Sequence, residues 1–311
     1  LYAKGGGMNL RARFRGALLG LACGDALGAP FEGAPRGSFE PVTGMVGGGP
    51  YDVQAGQWTD DTSLALCLAA SLVERDGFEP TDQMDRYIGW LTLGYMSSRG
   101  ESFGIGNTTA GALRRYQVYG NPYSGSPDPR TAGNGSLMRL APIPMFFFGD
   151  AASAIFYAGE SSRTTHGAVE CIDACRLFAT MLLKALAGRD KETILFGSHF
   201  PPGADKTLTP KIQDVADGRY RDKSAAAIRG SGYVVECLEA ALWCFYKTDS
   251  YRDAVLQAVN LGDDTDTTAA VCGQLAGAYY GEGEIPHLWL ETLALRRDIT
   301  RLADRLLRIE G

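Results

Sequence analysis

The 311-residue chain contains only three histidines, and neither they nor its seven cysteines fall at zinc-holding spacings. The cysteine number is odd and most of the thiols lie inside apolar stretches of helical character, which excludes a disulfide framework. They read as reduced core residues of a cytoplasmic protein. No apolar run reaches membrane-spanning length and no charged-then-apolar leader opens the chain, so neither membrane insertion nor secretion is expected. Basic excess is missing as well: 30 Lys and Arg against 36 Asp and Glu leave a net charge of -6, with no basic stripe. That removes a general drive toward nucleic acid or anionic lipid, and any anionic ligand must be held locally. Alternating runs of Val, Ile and Thr, the mark of half-buried strands, are almost absent.

What remains is helical. Apolar residues recur at three-to-four spacing over residues 10–29, 61–75, 81–98, 108–119, 166–187, 234–247, 251–261, 265–280 and 288–308. The pattern predicts an all-α, compact, single-domain orthogonal bundle of about a dozen helices, with its polar site built from inter-helix loops. At 45% hydrophobic the chain can bury a substantial core, and no linker divides it, so residues 8–311 read as one domain. Residues 1–7, a Gly-rich stretch before Met8, read as a cloning remnant. The 40 glycines are many for a helical protein and cluster in connections such as Gly47-Gly48-Gly49, Gly133-Asn134-Gly135 and Gly230-Ser231-Gly232. Short extended pieces are expected around residues 41–50.

Two acidic clusters far apart in the chain, Thr59-Asp60-Asp61-Thr62 and Asp263-Asp264-Thr265-Asp266-Thr267, each precede an apolar helical run. Either alone reads as a helix start, where a carboxylate suits the free N–H groups and the positive end of the dipole. One carboxylate suffices for that. Two clusters that mix acids with hydroxyls suggest oxygen ligands converging on hard cations. Two carboxylates about 4 Å apart near a surface repel by roughly 4 kcal/mol at an effective dielectric of about 20, so several together need positive charge. With no Cys or His in either cluster, Mg²⁺ or Mn²⁺ is favoured over zinc, and the spacing is not that of an EF-hand.

Other segments carry candidate chemistry. The first helix ends at Gly24-Asp25-Ala26-Leu27-Gly28, shortly before Glu32. Residues 131–139 look like a loop feeding a helix whose free N–H groups could hold phosphate oxygens, without the Lys of a Walker loop. His166, after Thr164-Thr165, reads as the start of an apolar helix, where a lone histidine is more often structural than a ligand.

Taken in order, residues 15–28, Thr59-Asp60-Asp61-Thr62, the Gly133-Asn134-Gly135-Ser136-Leu137-Met138-Arg139 run, the Thr165-His166 pair and Gly262-Asp263-Asp264-Thr265-Asp266-Thr267 resemble the ADP-ribosylglycohydrolase family. The resemblance spans residues 10–289. It implies an all-α fold and a centre of two divalent ions, Mg²⁺ or Mn²⁺. Thr59, Asp60 and Asp61 would bind the ions from one side, and Asp264, Asp266 and Thr267 from the other, with Asp266 bridging. Glu32, Asp60 and Asp264 would be the catalytic acids, Glu32 being a mobile residue that polarises water or guards the metals. Asp25 would orient the ligands from behind. Gly104, Ile105, Gly106, Thr131, Gly133, Asn134, Gly135, Ser136 and His166 would cradle the diphosphate and distal ribose, and Tyr233 the adenosine end. Asp263 stands where many members have Gly.

The implied reaction is hydrolysis of the bond between the anomeric carbon of ADP-ribose and a protein side chain, with arginine the first choice of linkage. The partner is then an ADP-ribosylated protein and the product ADP-ribose, with no nucleic acid or membrane involved. Two other readings stay open at this point: a two-metal nucleotide phosphohydrolase, and a non-catalytic ADP-ribose reader or crystallin-like relative.

Overall fold

The computed structural model describes residues 9–201, 205 and 207–308; the expected cloning remnant, residues 1–7, and Met8 lie outside them. The described residues form fourteen α-helices and no strand. In chain order they are α1 Leu10–Gly28, α2 Asp60–Arg75, α3 Pro80–Leu93, α4 Asn107–Tyr119, α5 Pro142–Phe146, α6 Ala151–Arg163 and α7 Val169–Leu186. The second half holds α8 Lys191–Phe196, α9 Pro210–Ala216, α10 Val234–Lys247, α11 Tyr251–Val259, α12 Thr265–Tyr280, α13 His287–Thr292 and α14 Arg296–Leu306. None is long and apolar enough to cross a membrane.

Helices α1 and α12 form the centre, antiparallel and buried for most of their length. The local reason is spacing: Gly16, Gly20, Gly24 and Gly28 recur every fourth residue and line one face of α1, opposite Gly273 and Gly277 of α12. A Cβ on any of these six glycines would fall inside the van der Waals shell of the partner helix's backbone. These glycines therefore set how near the two axes come, which composition alone did not suggest. At the far end Arg13 donates to the Tyr279 carbonyl at 2.6 Å, satisfying the last turn of α12 from α1.

Several helix limits differ from those the periodicity predicts. The span predicted over 81–98 stops at Leu93, where Gly94 turns left-handed at φ +68°. The span predicted over 288–308 is broken into α13 and α14 by Leu295 at φ +51°. Helix α7 starts at Val169, so His166 lies in the preceding turn and opens no helix. Helices α5, α8 and α9, of five to seven residues, are too short to show a period, and α6 is marked chiefly by its Asp150 cap. Around residues 41–50 the only pairing among the described residues is an isolated bridge from Gly48 to Val53.

Replacing Gly277 with Ala should lower the free energy of unfolding by about 1–3 kcal/mol, although Ala is the better helix former. Urea titration reads this directly, and an unchanged or raised midpoint would show that the two helices can part without cost.

Candidate active site

Asp25 lies in the last turn of α1 and is fully buried. Its Oδ1 accepts from the Thr59 N–H at 2.9 Å and the Thr59 hydroxyl at 3.0 Å. Its Oδ2 accepts from the Thr62 N–H at 3.0 Å and the Thr62 hydroxyl at 2.7 Å. Helix α2 is thus capped by a carboxylate from α1, and Thr59, at its N-cap position, makes no side-chain cap bond of its own. At the same end of α1, the Thr265 hydroxyl donates to the Gly28 carbonyl at 2.8 Å, and Gly28 packs on the backbone of Asp266. The first turns of α2 and α12 therefore meet, and both acidic clusters meet with them.

Oxygens of Asp25, Asp61 and Asp266 come within 4.8 Å of one another, and all three residues are buried. Donors are too few for them. The Thr59 hydroxyl lies 3.0 Å from Asp25, 3.2 Å from Asp61 and 3.5 Å from Asp266, but has one proton to give. Thr267 adds its hydroxyl to Asp61 at 3.4 Å and its N–H to Asp266 at 2.8 Å. Asp61 Oδ1 and Glu32 Oε2 are buried with no hydrogen-bond partner among the described residues. Burial, with the charges of the neighbouring acids, holds Asp60, Asp61 and Asp266 well above the usual carboxylate range. Burial also raises Asp25, to about 6 despite its four donors, and lifts Glu32, against a Tyr51 hydrogen bond that lowers it. A site of acid oxygens and hydroxyls with unsatisfied lone pairs and no soft ligand fits hard divalent ions. Because the Asp25 oxygens already hold four donors, the open ligand positions belong to the other acids.

Over the acids lies a cleft of about 220 Å³, and among the described residues no Lys or Arg lines it. Gly104, at φ +84°, forms one wall; a Cβ there would sit 2.7 Å from Asp60 Oδ1, so the loop can approach the carboxylate only as glycine. The opposite wall is residues 133–135, pinned by the Asn134 N–H to the Gly232 carbonyl at 3.1 Å and by Asn134 Nδ2 to Asp264 Oδ2 at 3.0 Å. Glu32 hangs from a loop tied to the entrance of α12: Gly33 N–H donates to the Asp263 carbonyl at 2.8 Å, and Asp263 N–H to the Ala34 carbonyl at 2.9 Å. Asp263 adopts φ +62°, the left-handed region that favours glycine.

The ADP-ribosylglycohydrolase family model matches residues 7–311. The chain belongs to the ADP-ribosylglycohydrolase family. It is a hydrolase of that family, 43% identical over 294 residues to the ADP-ribosylarginine hydrolase Tri1 of Pseudomonas putida (strain GB-1), covering 94% of this chain and 77% of the relative. It is 32% identical to the ADP-ribosyl-[dinitrogen reductase] glycohydrolase of Rhodospirillum rubrum, over 98% of this chain and 99% of that one. A solved structure described as an ADP-ribosylglycohydrolase-related protein complex superposes with a TM-score of 0.84 at 45% identity, covering 97% of this chain and 99% of the other.

Most residues that the family resemblance singles out meet at the cleft: Glu32, Asp60, Asp61, Asp264, Asp266, Thr267, Gly104, Gly106, Gly133, Asn134, Gly135 and His166 line it. Thr59 and Asp25 lie directly beneath. Four stand apart from its walls. Ile105 packs against the hydrophobic core, and the Thr131 hydroxyl closes its own turn on the Asp128 carbonyl at 2.7 Å. Ser136 is buried against the Ser162 hydroxyl at 2.8 Å. Tyr233 faces a neighbouring depression, its hydroxyl donating to Glu170 at 2.5 Å and accepting from Lys211 at 2.8 Å. Nor do residues 131–139 feed a helix: they run through turns until α5 starts at Pro142, so the free N–H groups of a helix start are not offered there. Sequence reasoning gave no site role to Asn107, Thr108, Thr109, Met138 and Gly232, which line the cleft, and named Thr62 in the first acidic cluster without foreseeing that it completes the donor set of Asp25. The run of small polar residues directly after Gly106 was the available signal for the first three.

A carboxyl whose folded pKa is raised keeps a proton that the unfolded chain has released, so its contribution falls as pH rises from about 4, the unfolded value, through the folded one. The metal-free protein should therefore lose thermal stability as pH rises through about 6, where Asp25 titrates, and onward as the other acids ionise. Millimolar-range Mg²⁺ or Mn²⁺ should remove most of that fall; melting curves with chelator and with metal that run parallel across pH would contradict it.

Proposed function

We propose that the chain is a cytoplasmic, divalent-metal-dependent ADP-ribosylhydrolase that releases ADP-ribose from modified arginine side chains of proteins. The observation that carries the metal dependence is the donor-starved carboxylate cluster under the cleft, where acids from α2 and α12 face one another and no Lys or Arg of the described residues lines the space above them. The arginine linkage is supported by the relative from Pseudomonas putida, which is named for it. The seven buried, unpaired cysteines agree with a reducing compartment.

In this reading Thr59, Asp60 and Asp61 would hold a centre of two divalent ions, Mg²⁺ or Mn²⁺, from one side, and Asp264, Asp266 and Thr267 from the other. When bound, such ions would supply positive charge for hydroxyl oxygens of the substrate and would lower the pKa of a water. Asp25 keeps the first turn of α2 in place, so that Thr59, Asp60 and Asp61 are presented together. Glu32 is the group assigned to proton transfer: its Oε2 has no hydrogen-bond partner among the described residues, and burial, with the charges of Asp264 and Asp25, raises its pKa. The bond from the anomeric carbon breaks through an oxocarbenium-like state, and the departing guanidine needs a proton that Glu32 can return. ADP-ribose itself is held by the backbone of the 104–106 and 133–135 loops and by His166, since no Lys or Arg among the described residues lines the cleft.

The deciding experiment incubates the protein with arginine-linked and serine-linked ADP-ribosylated peptides in Mg²⁺, Mn²⁺ or chelator and measures free ADP-ribose. Release is expected from the arginine-linked peptide only, and none in chelator. Asp60→Ala and Asp266→Ala should each lower kcat/KM by more than about a hundredfold, and Asp25→Asn should weaken metal affinity by about 10–100-fold. Phosphate appearing in place of ADP-ribose, or full activity of the Asp variants in chelator, would refute the assignment.

A further inference from the structure

Arg139 is fully buried, and its hydrogen bonds go to carbonyls and hydroxyls, never to a carboxylate. It donates to the Gly135 carbonyl at 2.8 Å and to the Thr165 hydroxyl at 2.7 Å, and packs 4.8 Å over the Tyr87 ring. Among the described residues the Thr165 hydroxyl, itself fully buried, has two polar neighbours: the Arg139 guanidinium and His166 Nδ1 at 2.8 Å.

A guanidinium can only donate, so toward Arg139 the hydroxyl is an acceptor. Its single proton then has one acceptor within reach, the Nδ1 lone pair of His166. The opposite arrangement, Nδ1–H donating to Thr165, would strand the hydroxyl proton in a dry site. With Nδ1 unprotonated, the ring's proton sits on Nε2. Burial and the nearby Arg139 charge push the imidazole pKa down to about 3, which keeps the ring neutral. Nε2 faces the gap left by two glycines of the cleft wall: a Cβ on Gly133 would lie 3.4 Å from it, and one on Gly135 3.1 Å. No protein acceptor among the described residues engages it.

The geometry points to Thr165 as a positioning residue: oriented by Arg139, it locks His166 into the neutral Nε2–H form and so presents a fixed hydrogen-bond donor to an oxygen of the bound ligand. The Arg139 charge stays one layer behind the cleft and acts through the hydroxyl. His166 then contributes binding and takes no part in proton transfer. That the oxygen belongs to ADP-ribose rests on the function proposed above; the ring's tautomer does not.

Nitrogen–proton NMR of histidine-labelled protein tests this, because the chain has only three histidines and His166 is assigned by the loss of its signals in His166→Asn. The wild-type ring should show the Nε2–H pattern unchanged from about pH 8 to about pH 5. Thr165→Val keeps the shape and removes the hydroxyl; it should mix the two tautomers and weaken ADP-ribose binding in Mg²⁺ about tenfold, with the loss in KM exceeding that in kcat. Thr165→Ser should restore both. A wild-type ring protonated on Nδ1, or a Thr165→Val variant that matches wild type in tautomer and affinity, overturns the inference. A wild-type protein with the expected tautomer that binds no ADP-ribose overturns the proposed function and upholds the role of Thr165.

Discussion

The close approach of α1 and α12 is the constraint on which the rest depends. Six glycines let two buried helices touch backbone to backbone, a distance at which dispersion along the whole contact replaces side-chain interdigitation. Because the helices run antiparallel, the last turn of α1 lies against the first turn of α12, which sets Gly28 on Asp266 and Asp25 next to both. Asp25 then reaches across to the first turn of α2 and fixes its direction as well. Packing and site are therefore one piece of geometry: a shift along the α1–α12 contact would move two of the three clustered carboxylates apart.

That geometry concentrates like charge where water is scarce. The folded chain meets part of the resulting cost with hydroxyls and backbone N–H groups at the starts of α2 and α12, whose dipoles favour negative charge. It does not meet all of it, as the unpartnered oxygens of Asp61 and Glu32 show. Sites that depart in this way from full hydrogen-bond satisfaction are where function is expected in a core otherwise well packed. The cleft above is walled by glycines and neutral polar residues, and the buried cation at Arg139 is held back behind them.

How much was legible from the chain varied with the range of the interaction concerned. The long helices, such as α2 and α12, were readable because their apolar runs persist over several turns. That the two Thr-Asp clusters belong together was readable from their shared composition and from the order of motifs in the family they resemble, and the structure does bring them to one point. Short helices such as α8 and α9 lack the length to show a period, and the His166 turn looked like a helix start because the apolar run behind it begins so soon. Ser136, Thr131 and Tyr233 illustrate a further limit: a residue next to a binding motif can point away from the cleft, and neighbours in sequence do not reveal which way.

By itself the sequence determined the all-α class, the identity of the acids and hydroxyls available, and the family, because composition, periodicity and motif are local properties of the chain. Only the tertiary structure decided that residues around 25, 60 and 265 share one point, that Asp25 is saturated while Asp61 is not, and that Thr165 has a single place to send its proton. Those facts depend on distances between segments far apart in the chain, and such distances are set by how closely α1 and α12 can pack.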